Sequence, residues 1–138
     1  MATMAISTAF AAPEPQKIAV VDIQKVVLAS AQVKAINTER EKKAKELQAF
    51  IKKAQADVDK ETDVAKKKSL AEKYEKELKA KREANFKAYN AKFKAADESI
   101  AKQISQKATE MGYTMVLPKA IVVYGGDDIT DSIIKVIR

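Results

Sequence analysis

The chain is predicted to be mostly α-helical with a small β head. A long antiparallel helical hairpin, coiled-coil-like, projects from a β-strand oligomerisation body. Three observations lead there. Between Gln16 and Met111 there is no glycine and no proline, the residues that penalise a helix interior by about 1 and about 3 kcal/mol relative to alanine. That interior is rich in Ala, Lys, Glu, Gln and Leu, and so reads as one very long helix or two. The flanks, residues 17–22 (KIAVVD) and 113–124 (YTMVLPKAIVVY), are short and rich in β-branched residues, which suits strands.

Three units follow: residues 1–16 as a signal-peptide remnant or disordered tail, 17–32 with 112–138 as the β-containing oligomerisation head, and 33–111 as the arm. The first segment, MATMAISTAFAAPEPQ, is small and apolar, then abruptly Pro/Glu-rich. Ala9, Phe10 and Ala11 fit the small-x-small pattern before a signal peptidase cut. In residues 17–22, Ile18 and Val20 share one face and Ala19 and Val21 the other. A strand apolar on both faces is expected to be covered on both.

In the second half of the arm the apolar residues fall at Leu70, Tyr74, Leu78, Phe86, Tyr89, Phe93, Ala96, Ile100 and Ile104. Steps of three and four make this a coiled-coil seam, interrupted where Arg82 takes the place after Leu78. The first half has a sparser stripe, Val33, Ile36, Leu47, Phe50, Ile51, Ala54 and Val58, with Arg40 and Ala44 in its gap. Phe86, Tyr89 and Phe93 are assigned to seam packing on this spacing. The chain reverses within residues 57–68 (DVDKETDVAKKK), where Thr62 or Asp63 can cap the return helix. Such an arm, held by one thin stripe, is expected to flex.

Gly112 stands where a helix ends in a left-handed residue. Residues 113–117 and 121–124 are predicted as two strands joined by a hairpin loop at Pro118, Lys119 and Ala120. Gly125 and Gly126 then turn the chain, and Asp128, with Asp131 three residues on, caps a last helix whose apolar face is Ile129, Ile133, Ile134 and Ile137. The Gly-Gly-Asp-Asp run lacks the Lys and Ser/Thr of a phosphate loop, so it reads as turn plus cap.

Charge is segregated. Residues 1–32 sum to zero (Glu14 and Asp22 against Lys17 and Lys25), as do residues 112–138 (Asp127, Asp128 and Asp131 against Lys119, Lys135 and Arg138). The whole net charge of +7 therefore lies on the arm. A basic extension from a neutral body meets anionic partners or simply keeps a long helix in solution. Lys60, Lys66, Lys67 and Lys68 at the tip are the candidate contacts for an anionic partner or surface. The last three oppose the helix dipole with no visible folding benefit.

There is no His, Cys or Trp, which removes nucleophilic triads, thiol chemistry and ordinary zinc sites. The carboxylates stand among lysines on exposed faces, so no catalytic constellation forms. The chain is not expected to be an enzyme, and no cofactor is expected. A head made of two short segments without cysteine buries too little to stand alone. Ile18, Val20, Val116, Val122 and Val123 are the residues expected to be covered by association.

The order KIAVVD, short helix, long Lys/Glu/Ala/Gln-rich hairpin, YTMVL, AIVVY, then DIT opening a terminal helix resembles the Skp/OmpH family of periplasmic chaperones over residues 17–138. The ends carry the specific signal, while the middle is compositionally generic. The resemblance implies a homotrimer with a small barrel-like body. Three arms would surround a cavity that holds unfolded outer-membrane β-barrel proteins in the periplasm without ATP. The alternative is a basic coiled-coil nucleic-acid-binding protein. Against it, Lys dominates over Arg, acidic residues interleave, and no base-stacking platform appears.

Overall fold

The structure is a computed structural model that describes residues 15–137. Strand β1 (Ile18–Val21) leads into α1 (Ile23–Ala29), α2 (Ala31–Lys60) and α3 (Val64–Glu110). Then come β2 (Met115–Pro118), a 3-10 turn (Lys119–Ile121), β3 (Asp127–Asp128) and α4 (Thr130–Ile134). The proposed leader lies almost wholly outside the described residues.

The breaker-free interior holds β1 and three helices, the short helix and then the two long helices of the arm. Asp22 caps α1 by accepting a hydrogen bond from the Lys25 N–H at 3.1 Å. Ser30 then divides α1 from α2: its extended backbone ends one helix, and its hydroxyl accepts from Val33 N–H to start the next. A capping serine changes helix direction without Gly or Pro because it satisfies an otherwise orphaned donor.

At the tip, α2 stops at Lys60 and Asp63 caps α3, accepting from the Lys66 N–H at 2.8 Å, as the sequence predicts. The far end also follows expectation. Gly112 takes φ of 81°, with Gly112 N–H donating to Thr109 O and Tyr113 N–H to Ala108 O. This paired arrangement is a Schellman motif. Along the arm Glu39 pairs with Lys92, Phe50 with Tyr74, and Asp57 with Tyr74. Glu39, early in α2, thus meets a residue late in α3, while Phe50 and Asp57, late in α2, meet one early in α3.

The sheet corrects the predicted hairpin. Its order is β2-β1-β3, and both neighbours run parallel to β1. Residues 121–124 are not a strand. They leave the 3-10 turn with Ile121, Val123 and Tyr124 exposed, and β3 is formed instead by Asp127 and Asp128. The physical reason lies in the two glycines. Gly125 and Gly126 adopt φ of 86° and 83°, which carries the chain back onto the free edge of β1. A Cβ at residue 126 would lie 2.5 Å from Val20 Cγ2, so only glycine fits that approach. The propensity of residues 121–124 was legible, but within this chain no strand edge receives them.

The capping of α4 also differs. The helix begins at Thr130, and Ile129 precedes it without a side-chain cap. Asp128 sits one residue earlier and accepts from both the N–H and the hydroxyl of Thr130. The predicted apolar face is correct: Ile129 and Ile133 are buried, with Ile134 and Ile137 packed against them.

The core gathers Ala19 and Val21 from β1, Val26 from α1, Val33 and Ile36 from α2, and Ala96, Ile100, Ile104 and Ala108 from α3, closed by α4. Residues 37–95 contribute no buried side chain.

Candidate binding surface

The tip lysines stand together across the turn. Lys60 closes α2 and Lys66, Lys67 and Lys68 open α3, all exposed. None forms an ion pair within 4.0 Å among the described residues. A cation ending α2 favours that helix dipole, whereas three opening α3 oppose it. Nearer the head, Lys53 and Tyr74 both hydrogen-bond Asp57. Lys53, then Tyr74, hold the Asp57 carboxyl below its ordinary value, and the same carboxylate pushes the Tyr74 hydroxyl up. This node ties the two helices close to the tip.

Midway along the arm the seam departs from the heptad reading. Asn85 is half-buried, while Phe86 is turned outward and 66% exposed. Phe93 is 38% exposed, with its ring 5.9 Å from that of Tyr89. Assigning Phe86 to seam packing is therefore corrected. With Ala44 facing Ala88 and polar Asn85 turned partly inward, the helices leave a cavity of about 310 Å³. The gap that Arg40 and Ala44 make in the sequence stripe pointed to this place, but the outward phase of Phe86 did not.

In the head, the residues expected at an interface do not form one surface of a single chain. Ile18 and Val20 share a face of β1, but Val20 is already 5% exposed within its own chain, beneath Gly126. Val116 pairs with Ala19 and packs against the core on the opposite face. Val122 is half-buried, and Val123 is fully exposed. Met115, Ile121 and Tyr124, which the sequence reading did not single out, add to the exposed apolar surface there.

A polar node fastens this head. Asp22 N–H donates to the Thr130 hydroxyl at 2.9 Å, that hydroxyl donates to Asp128, and Lys119 Nζ donates to the other Asp128 oxygen at 2.7 Å. Lys119 first, then the Thr130 hydroxyl and amide, hold the Asp128 carboxyl well below the usual carboxylate range. Every partner here belongs to the fold, so the node reads as structural.

A long basic two-helix arm rising from a sheet built by both chain ends is one half of the comparison. The other half is the match of residues 17–137 to the family model described as Outer membrane protein (OmpH-like). The chain belongs to the OmpH-like family. The match spans the head segments and the arm alike, so it does not rest on helical composition alone. Members of this family are periplasmic chaperones of outer-membrane proteins, not enzymes. No curated protein matches the chain. Among the described residues, no helix of this OmpH-like chain is long and apolar enough to cross a membrane.

Proposed function

We propose that this OmpH-like protein is an ATP-independent holdase. It binds unfolded outer-membrane β-barrel proteins in a cavity between helical arms and prevents their aggregation in the periplasm. The family match over both head and arm carries this reading. The antiparallel arms would project from a homotrimeric body. The exposed Met115, Ile121, Val123 and Tyr124 support association through the head, since exposed apolar patches mark interaction surfaces. Confinement of the net +7 to the arm supports long-range attraction of acidic clients. The tip lysines would meet the client or an anionic membrane surface.

The test is dilution of a denatured outer-membrane β-barrel protein into buffer without nucleotide. With the protein in stoichiometric excess, aggregation should be suppressed, and capture should weaken toward about 0.5 M salt as the Debye length falls to a few Å. Replacing Lys66, Lys67 and Lys68 by Glu should slow capture and leave the oligomer, measured by light scattering, unchanged. Unsuppressed aggregation, or tighter binding of duplex DNA than of the client at physiological salt, would return the assignment to a basic nucleic-acid-binding coiled coil.

A further inference from the structure

The mid-arm cavity lies between α2 and α3. Ala44 and Ala88 bring no bulk to it, and both are exposed although they face the partner helix. Leu47 and Tyr89 form half-buried walls, and Phe86 stands at the mouth with no ring partner among the described residues. The rim is charged in a particular way. Lys43 is paired with Glu46 and Lys92 with Glu39, so those charges are internally satisfied. Arg40 is different: its guanidinium lies 5.1 Å from the Tyr89 ring centroid, and no carboxylate pairs with it among the described residues.

We infer that this cavity is a side-chain subsite for an unfolded polypeptide, taking an aromatic residue next to an Asp or Glu. The inference deepens the holdase reading and rests on it for its biological meaning. A volume of about 310 Å³ is at the lower limit of ligand pockets, too small for a folded partner. An aromatic ring entering it meets Phe86 and Tyr89, which favour offset or edge-on ring contacts. The neighbouring carboxylate meets Arg40, whose planar fork can donate two parallel hydrogen bonds to it. Each arm would then hold one short segment of a client weakly, through a contact that many sequences can supply.

The probe is a short fluorescent Gly/Ser peptide carrying Asp-Phe pairs, measured by anisotropy against the intact protein. Binding is expected to weaken about ten-fold for Arg40→Ala, the scale of one lost charge-assisted pair. Ala88→Leu, which fills the cavity, should weaken binding similarly while raising the thermal stability of the arm. Ala91→Leu, exposed on α3 away from the cavity, should change neither. A peptide with Lys-Phe pairs should bind less tightly than the Asp-Phe peptide. Unchanged peptide affinity in Ala88→Leu, with the helical circular dichroism intact, identifies a mere packing gap and overturns the subsite. Binding of oleate without binding of the peptide assigns the cavity to a lipid and also overturns it. Holding of a β-barrel client is scored separately: if the wild type holds the client but Ala88→Leu leaves the peptide unaffected, the subsite alone fails. If the peptide binds as expected but no client is held, the chaperone reading alone fails.

Discussion

In the head, Val21, Val26 and Ile133 are inaccessible to solvent, enclosed by elements from both ends of the chain. In the arm, residues 37–95 contain no buried side chain. The head is therefore held by tertiary burial, whose worth is roughly 25 cal/mol per Å² of apolar area removed from water. The arm is held by helix propensity, short-range charge pairs such as Lys53–Asp57 and Lys43–Glu46, and a thin seam. Loss of apolar bulk is therefore expected to cost more in the head than in the arm, and the arm is expected to open first at its tip.

The largest expected effect tests that division directly. Ile133→Ala, at a site with 0% exposure, should lower unfolding stability by about 2–5 kcal/mol. Leu78→Ala, in the half-buried seam, should cost about 1 kcal/mol, in line with partial loss of apolar burial. Urea unfolding at one fixed protein concentration compares them, because an oligomer's stability depends on concentration. Hydrogen exchange gives the same contrast without mutation: amides around the Glu61–Asp63 turn should exchange fastest and those of α3 near Ile100 and Ile104 slowest. Equal losses in the two variants, or uniform protection along α3, would break the comparison.

The second effect lies within the head. Gly126→Ala places a Cβ 2.5 Å from Val20 Cγ2 at φ of 83°, combining a clash with left-handed strain of about 1–2 kcal/mol. Gly112→Ala carries similar strain at φ of 81° into open space. The melting temperature should fall further for Gly126→Ala. If the two fall equally, the close approach to β1 is not what requires glycine at residue 126.

The smallest effect is electrostatic. Lys119 and Thr130 depress the Asp128 carboxyl in the folded state, so its contribution is complete at neutral pH. It is lost as the pH drops below about 4, the unfolded aspartate value, toward the folded one. The pair is exposed and the loss should be slight. Asp128→Asn should therefore show a smaller difference in melting temperature between pH 7 and pH 3 than the wild type, and an identical difference would remove Asp128 from the acid response.

What the sequence determined by itself is what local chemistry determines. The absence of Gly and Pro between Gln16 and Met111, the caps at Asp63 and Gly112, the apolar face of α4 and the confinement of charge to the arm all follow from short-range rules. The KIAVVD and DIT segments carried the family resemblance. Tertiary structure alone decided the rest. Whether residues 121–124 or Asp127 and Asp128 pair with β1 depends on which segment the two glycines bring to its edge, an energy that no local propensity contains. Whether Asn85 or Phe86 turns toward α2 depends on helix phase over many turns, where a small drift exchanges neighbouring faces. The mid-arm cavity arises from that phase together with two alanines on different helices, and such a pairing exists only once the chain has folded back on itself.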